Sequence, residues 1–231
     1  MSTVLITGAN RGLGFEFASQ YTNGGFRVFA ACRNPTAADA LRQLEHSSKS
    51  MLSVILMDVT DAESVGKAAA QLKDTAIDLL INSAGIAGAA GQTTGHVDYK
   101  SWAHVLDVNT MGPLRVLESF IEHIARSERK LVVTITSGMG SIADNKTGGS
   151  IAYRSSKAAV NMAMRSAAID LAPRGITCVV IHPGWVRTEM GGPKAPLSPQ
   201  ESVEAMRRLI ENFGPKDSGK FYSYKGHEYP W

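Results

Sequence analysis

Cysteine is scarce in this sequence. Cys32 and Cys178 are the only two among 231 residues, and each lies inside an apolar run that is typical of a strand. Two isolated thiols provide neither a disulfide framework nor the ligand spacing of a metal site. We therefore expect a reduced, cytoplasmic protein with two buried thiols and no bound metal.

Long apolar runs and an excess of one charge are also missing. No apolar run approaches the roughly 18 residues of a membrane span, and the N-terminal MSTVLITGAN lacks the basic start and long apolar stretch of a secretion signal. The 24 basic and 21 acidic residues leave a net charge of +3, with no cluster of Lys and Arg. These absences argue against membranes and nucleic acid as partners and favour a small molecule.

Short apolar runs alternate with segments of helical composition. The runs are TVLIT, RVFAAC, LSVILM, IDLLIN, KLVVTIT and ITCVVIH. Nearly continuous apolar strands joined by helices indicate a parallel sheet that is covered on both faces. With a last short strand at Lys220 to Tyr224, the pattern predicts a single α/β domain over 1–231, with a doubly wound, mostly parallel seven-stranded sheet of Rossmann type.

Helices and glycine-rich loops fill the intervals between these strands. We predict helices near 11–24, 36–46, 61–74, 101–128, 153–173 and 199–213. The loops at 85–95, 138–149 and 187–199 are rich in glycine, and the last also in proline. Since doubly wound sheets bind ligands beyond the carboxyl ends of their strands, these loops are expected to surround the binding site.

A glycine-rich turn, TGANRGLG, joins the first strand to the first helix, with glycines at 8, 12 and 14. A strand, a glycine turn and a helix start direct backbone N–H groups at a phosphate. The spacing of the glycines differs from the usual dinucleotide fingerprint. The location of the turn between strand and helix therefore supports phosphate binding more strongly than its sequence does. A plain turn with glycines for close packing is the alternative.

Two arginines distinguish between the nicotinamide cofactors. Arg33 follows the second strand, where NAD sites usually carry an acidic residue for the ribose hydroxyl, and Arg11 lies within the glycine turn. Guanidinium groups bind phosphate through forked, charge-assisted hydrogen bonds. The sequence therefore predicts NADP(H) over NAD(H), although an exposed arginine is ordinarily only a solvated surface residue.

The stretch IAYRSSKAAV places Tyr153 and Lys157 four positions apart. Residues i and i+4 lie on one face of a helix, about 6 Å apart, so the lysine can act on the tyrosine. Such a pair arises by chance roughly one time in three among six tyrosines, so it is ambiguous by itself. Lys157 as a solvated helix residue and Ser137 as a turn residue remain the alternatives.

Taken with these motifs, the sequence resembles the short-chain dehydrogenase/reductase family over nearly its whole length. The further matches are MDV at 57–59, NSAG at 82–85, VNT at 108–110, Ser137 after a strand, and HPGWVRTEM at 182–190. The resemblance implies a catalytic tetrad of Asn109, Ser137, Tyr153 and Lys157. It implies cofactor contacts from Gly8, Asn10, Arg11, Gly12, Leu13, Gly14, Arg33, Asp58, Val59, Asn82, Ala84, Gly85, Tyr153, Lys157, Pro183, Gly184, Val186 and Thr188. Ser83 stands where the family motif has a second asparagine.

The resemblance also implies a role for each member of the tetrad. Tyr153 exchanges a proton with the substrate oxygen, and Lys157 lowers the tyrosine pKa from its usual value of about 10 while reaching the cofactor ribose. Ser137 donates to the substrate oxygen, and Asn109, at a break in its helix, holds a water beside Lys157. The implied function is an NADPH-dependent oxidoreductase that transfers hydride between the nicotinamide and a ketone, an aldehyde or a secondary alcohol.

Within the family, TGANRG, CRNP and the final YPW look most like the carbonyl reductase-like subgroup of sniffer and C-factor proteins. The family usually forms homodimers or homotetramers, and the helices near 101–128 and 153–173 are free to pack on a second copy. One alternative is a dinucleotide-binding signalling or regulatory protein of C-factor type with incidental catalysis. Another Rossmann-like enzyme, such as a methyltransferase, leaves the tetrad unexplained.

Overall fold

One sheet of seven strands forms the centre of the molecule in the computed structural model, which describes residues 1–231. The strands are β1 (Thr3–Thr7), β2 (Arg27–Cys32), β3 (Leu52–Leu56), β4 (Leu79–Asn82), β5 (Leu131–Ile135), β6 (Thr177–His182) and β7 (Phe221–Ser223). Their order is β3-β2-β1-β4-β5-β6-β7, and every neighbouring pair is parallel. The predicted doubly wound α/β fold is confirmed, and its sheet is parallel throughout.

Seven α-helices cover the two faces of the sheet. They are α1 (Gly12–Asn23), α2 (Asp39–Ser47), α3 (Ala62–Gln71), α4 (Tyr99–Leu106), α5 (Gly112–Ala125), α6 (Ile151–Asp170) and α7 (Pro199–Asn212). Side chains alternate between the faces along each strand. Leu5 of β1 thus packs in a core with α3, α5 and α6, whereas its neighbours Val4 and Ile6 pack in a second core with α1, α2 and α7.

The long helix predicted at 101–128 is two helices in the structure. A π-helical segment, Asp107–Met111, separates α4 from α5, and Pro113 follows at the start of α5. Proline has no N–H to donate to the preceding turn, so the regular hydrogen-bond ladder cannot run through it. The prediction of one helix was wrong in this respect, while the predicted break at Asn109 falls inside the π segment.

Both cysteines are buried, as predicted, with Cys32 3% and Cys178 1% exposed. Burial raises the pKa of Cys178 to about 12, so this thiol stays protonated at neutral pH. The structure contains no group of three or more His, Cys, Asp or Glu side chains arranged to hold a metal ion. None of the helices combines the length and the apolar character needed to cross a bilayer.

Candidate active site

A large cleft lies along the carboxyl ends of the strands, with a volume of about 1520 Å³. Pockets for a single small molecule usually measure about 300–1,000 Å³, so this one has room for a dinucleotide together with a substrate. The chain runs outward from β1 to β3 and then returns to place β4 on the other side of β1. The cleft is therefore at the switch point where doubly wound sheets bind ligands.

Most of the residues predicted from the sequence line this cleft. They are Gly8, Asn10, Arg11, Gly12, Leu13, Gly14, Arg33, Asp58, Val59, Ala84, Gly85, Ser137, Tyr153, Lys157, Pro183, Gly184, Val186 and Thr188. Two predicted residues, Asn82 and Asn109, lie behind its wall and do not line it. Positions from seven separate segments of the chain are thus brought to one surface.

The glycine turn after β1 is held against the loop that follows β4. Gly8 has φ +66°, and a Cβ there would lie 2.7 Å from the Cα of Ala84. A Cβ on Gly14 would lie 2.2 Å from the carbonyl oxygen of Gly8, so both positions require glycine. Helix α1 begins at Gly12, and its N-cap, Arg11, makes no side-chain capping bond. The first N–H groups of α1 are free of a capping side chain and fit a phosphate group.

The two arginines of the cleft have different surroundings. Arg33 is exposed at the end of β2 and forms no ion pair with a carboxylate of the chain. Arg11 pairs with Glu189, which follows Thr188 on the opposite rim, and both side chains are exposed. Of the two predicted phosphate-binding arginines, only Arg33 has a guanidinium that forms no ion pair.

Asp58 lies at the same end of the cleft. Burial by itself would raise the pKa of its carboxyl group, but hydrogen bonds from Thr60 and the nearby positive charge of Arg33 outweigh burial, and the pKa lies below its ordinary value. The Thr60 backbone N and hydroxyl both donate to Asp58 Oδ1, at 2.9 and 2.7 Å. The carboxylate is thus charged and held in one orientation.

Asn82 connects structural elements and does not face the ligand space. Its Nδ2 donates to the hydroxyl of Thr134 at 3.3 Å and to the carbonyl of Pro113 at 3.4 Å. The side chain is buried between β4, β5 and the start of α5, and the cofactor contact by Asn82 stays a prediction. Ser83, which stands where the family motif has a second asparagine, lines the cleft beside it.

Thr7 is a structural contributor that sequence reasoning missed. Its hydroxyl oxygen accepts from the backbone N–H groups of Ser83 and Ala84, at 3.1 and 3.2 Å. These bonds fix the loop after β4 to the end of β1, next to the glycine turn. The only sequence signal was the threonine at the end of the TVLIT run.

Asn109 braces the loop after β4 against α6. Its Oδ1 accepts from the Ile86 N–H at 2.8 Å, and its Nδ2 donates to the Ile86 carbonyl at 2.8 Å and to the Ser156 hydroxyl at 3.0 Å. Both amide hydrogens are thus used by protein atoms. The side chain links two walls of the cleft, and the water-holding role of Asn109 stays a prediction.

Ser137, Tyr153 and Lys157 converge where β5 ends. Ser137 follows β5 and caps a short turn by accepting from the Met139 N–H at 3.1 Å, and its hydroxyl lies near enough to Tyr153 to act on the pKa of the phenol. Lys157 donates to the carbonyl of Ile135, the last residue of β5, at 2.9 Å. Its Nζ lies 5.9 Å from the centre of the Tyr153 ring. Three of the four predicted tetrad residues therefore share one face of the cleft.

Burial sets the protonation of this group. It lowers the pKa of Lys157 to about 8 and raises the pKa of Tyr153, while the nearby Ser137 hydroxyl offsets part of the rise in the Tyr153 pKa. The lowered tyrosine pKa expected from the sequence is thus wrong for the chain by itself, because desolvation outweighs the neighbouring groups. At neutral pH the tyrosine is a neutral phenol and most lysine side chains are charged.

The end of the chain packs beside the turn that follows Ser137. Tyr229 donates to Asp144 at 2.8 Å, and its ring lies 5.3 Å from that of His182. His182 Nδ1 accepts from the Gly184 N–H at 3.3 Å, so this histidine is packed and bonded to the backbone. Burial lowers the pKa of His182 to about 4, which keeps the ring neutral. Trp231 packs on Phe221 at 5.4 Å between ring centres.

Close packing between the Ser137 turn and α6 leads to a stability prediction. A Cβ on Gly140 would lie 2.8 Å from the backbone carbonyl carbon of Lys157, so Gly140→Ala should lower the unfolding free energy by about 1–3 kcal/mol. Gly66, inside α3, has nothing within 4 Å, and Gly66→Ala should raise it by about 0.5–1 kcal/mol. Urea unfolding of both variants measures the contrast, and equal stabilities would contradict it.

The family model described as short chain dehydrogenase matches residues 2–197. The C-signal protein of Myxococcus xanthus is 46% identical over 155 residues, which cover 67% of this chain and 93% of that protein. The carbonyl reductase Sniffer of D. melanogaster superposes with a TM-score of 0.94 at 32% identity, over 100% of both chains. NADPH-bound carbonyl reductase from chicken fatty liver gives 0.93 at 34% identity, over 100% of this chain and 99% of that one.

Fold, cleft and comparisons together define an oxidoreductase of the Rossmann type that uses a nicotinamide dinucleotide. The chain belongs to the short-chain dehydrogenase/reductase family. Its similarity to carbonyl reductases over the full length of the chain confirms the resemblance to the carbonyl reductase-like subgroup.

Proposed function

We propose that this protein is an NADPH-dependent carbonyl reductase, transferring hydride between the nicotinamide and a ketone, an aldehyde or a secondary alcohol. The observation that carries the proposal is the convergence of Ser137, Tyr153 and Lys157 at one end of a cleft whose other end offers the start of α1 and Arg33. Two structural neighbours are named as carbonyl reductases, and one of these is NADPH-bound.

Bound NADPH supplies the hydride, and the chain supplies position and proton. Tyr153, a neutral phenol at neutral pH, is the acid that protonates the carbonyl oxygen, and Ser137 donates a hydrogen bond to the same oxygen. When the phenol gives up its proton, the Lys157 ammonium stabilises the phenolate. Because burial favours the protonated tyrosine, the phenol is available as a proton donor at neutral pH.

The other end of the cleft is proposed to hold the cofactor through the predicted contacts. The glycine turn and the start of α1 receive the diphosphate, and Asp58 with Val59 contacts the adenine. Arg33 binds the ribose 2′-phosphate, while Lys157 reaches the nicotinamide ribose. The segment from Pro183 to Thr188 faces the carboxamide of the nicotinamide.

The cofactor preference depends on Arg33 in this proposal. Arg33→Asp replaces a free guanidinium by a carboxylate that repels phosphate, so the Kd for NADPH should rise about 10²-fold, whereas the Kd for NADH should change by less than about threefold. Fluorescence titration with both cofactors measures this difference. Arg42→Asp is the matched control, since Arg42 is exposed on α2 outside the cleft. An unchanged NADPH preference in Arg33→Asp would contradict the assignment.

The direct test of the activity is NADPH consumption with a panel of ketones, aldehydes and quinones, with NADH for comparison. The proposal expects turnover of several carbonyls and faster turnover with NADPH. A panel without turnover, under conditions where the protein binds NADPH, would reject the reductase.

A second candidate function is a dinucleotide-binding signalling or regulatory protein, favoured by the 46% identity to a relative named C-signal. In that case Tyr153 and Lys157 would be dispensable for the biological effect. Preservation of that effect in a Tyr153→Phe variant that still binds NADPH would favour this candidate over the enzyme.

We also propose that the protein forms a homodimer or homotetramer through its helices. Met162 and Ile169, seven positions apart on α6, are 67% and 62% exposed, and Met111 between α4 and α5 is 48% exposed. A second copy packed on α6 would bury these apolar side chains. Sedimentation equilibrium of the intact protein tests the proposal, and a monomer at micromolar concentration would contradict it.

A further inference from the structure

Tyr229 joins two walls of the cleft from behind. Its hydroxyl donates to Asp144 Oδ2 at 2.8 Å, and its ring centre lies 5.3 Å from that of His182. Asp144 belongs to the loop that follows Ser137, whereas His182 ends β6, immediately before the segment proposed to face the nicotinamide. Ser137 and His182 line the cleft, and Tyr229 does not. The tyrosine is therefore a link between the two walls and is not itself part of the ligand space.

Tyr229 and His182 both pack on the residue that follows Ser137. A Cβ on Gly138 would lie 3.0 Å from the hydroxyl oxygen of Tyr229 and 3.2 Å from Nε2 of His182. These separations are shorter than an ordinary contact of about 3.5–4.0 Å, so the main chain of Gly138 lies close against both side chains. Any movement of this turn also moves the Ser137 hydroxyl, which is proposed to donate to the substrate oxygen.

Further hydrogen bonds connect the same loop to the sheet. The main-chain oxygen of Trp231 accepts from the N–H of Ala143 at 2.9 Å and from the hydroxyl of Ser141 at 3.1 Å. The N–H of Tyr229 donates to the carbonyl of Phe221, the first residue of β7, at 2.7 Å. Because β7 pairs with β6, the segment from Tyr229 to Trp231 fastens the loop to the edge of the sheet.

The bond between Tyr229 and Asp144 is charge-assisted. Burial, the hydrogen bond to Asp144 and the negative charge of that carboxylate all raise the pKa of Tyr229, so the phenol keeps its proton at neutral pH. A hydroxyl that donates to a carboxylate forms a shorter and stronger bond than two neutral partners do. This bond therefore restrains the loop more firmly than a contact between neutral groups would.

We propose that Tyr229 is a positioning residue that holds the Ser137 hydroxyl in place for the substrate oxygen. It acts through the turn at Gly138 and contacts neither substrate nor cofactor. Because it also packs on His182, it fixes this turn relative to the segment that faces the nicotinamide. A displacement of about 1 Å near the reacting atoms can slow a reaction by 10²-fold, so a small movement of the turn is sufficient. The inference rests on the proposed carbonyl reductase function.

Tyr229→Phe tests the inference, because it removes the bond to Asp144 and keeps the ring. We expect kcat/KM for the best carbonyl substrate to fall about tenfold, while the Kd for NADPH stays within about threefold of the parent. Tyr222→Phe is the matched control, since Tyr222 donates to Asp217 at the same distance of 2.8 Å and lies outside the cleft. This control should keep the kcat/KM of the parent.

A double-mutant cycle with Ser137→Ala distinguishes positioning from a general loss of stability. If Tyr229 acts through the Ser137 hydroxyl, Tyr229→Phe should change kcat/KM by less than about twofold when Ser137 is already alanine. A merely structural role predicts the same tenfold loss in both backgrounds. Asp144→Asn retains an acceptor for the phenol and should stay within about threefold of the parent, whereas Asp144→Ala should match Tyr229→Phe.

Full activity in a folded Tyr229→Phe variant, or equal losses in both backgrounds of the cycle, overturns the inference and leaves the reductase standing. A Kd for NADPH that rises as much as kcat/KM falls overturns it as well, because Tyr229 would then act on cofactor binding. Asp144→Ala provides the same readouts if thermal melting shows that Tyr229→Phe does not fold. Failure of the parent to consume NADPH with any member of the carbonyl panel overturns both proposals.

Discussion

Tyr153→Phe should lower kcat for carbonyl reduction by about 10²–10⁴-fold, the usual contribution of a positioned acid. The phenylalanine ring fills the same space, so the variant should fold and bind NADPH with an affinity within about threefold of the parent. The fall in kcat then reflects slower protonation of the substrate oxygen. Ser137 can donate a hydrogen bond to that oxygen but is far too weak an acid to replace the phenol. Steady-state kinetics with the best carbonyl of the panel measures the effect.

The control for this prediction is Tyr99→Phe. Tyr99 begins α4, is 73% exposed and lies outside the cleft, so the same chemical change there should leave kcat unaltered. Turnover by Tyr153→Phe within tenfold of the parent would reject Tyr153 as the acid. Loss of NADPH binding together with turnover would instead identify a structural role for the phenol.

Lys157→Met should reduce kcat/KM by about 10²-fold or more and at the same time stabilise the protein at neutral pH. Burial lowers the Lys157 pKa from 10.5 to about 8, so the folded protein binds this proton more weakly than the unfolded chain. At about 1.4 kcal/mol per pKa unit, the buried charge costs about 3 kcal/mol. Losing the hydrogen bond to Ile135 offsets about 1 kcal/mol, which leaves a net gain on the order of 2 kcal/mol.

The pH dependence separates this effect from ordinary repacking. Below pH 8 both states carry the proton and the whole cost is present, whereas between pH 8 and 10.5 the folded state loses the proton first and the cost declines. The unfolding free energy of the parent should thus rise toward that of Lys157→Met across this window. Urea unfolding at pH 7 and at pH 9.5 measures the difference in unfolding free energy between Lys157→Met and the parent. Groups that titrate in both proteins contribute equally and cancel in this difference.

Lys67→Met provides the control, since Lys67 is an exposed lysine of α3 whose removal should change stability by less than about 1 kcal/mol. A Lys157→Met variant less stable than the parent at pH 7 would show that the charge does not destabilise the fold. Full activity in that variant would exclude Lys157 from the mechanism.

The sequence determined the architecture and most of the residues that line the cleft, because both depend on local sequence patterns. Parallel strands buried on both faces are near-continuous apolar runs, so all seven were recognisable, including the short β7. Gly8 and Gly14 are recognisable in the sequence because the Cβ of any other residue at these positions would collide with backbone atoms. The spacing of Tyr153 and Lys157 likewise placed them on one face of α6 before any contact was known.

Only the tertiary structure decided what surrounds each of these residues. Asn82 and Asn109 match family motifs, yet their side chains bond to Thr134 and Ile86 across elements that the sequence does not place together. The raised pKa of Tyr153 depends on burial by residues distant along the chain. Desolvation and hydrogen-bond partners depend on the groups that pack around a residue in the folded chain. A sequence motif identifies the residue but not those groups.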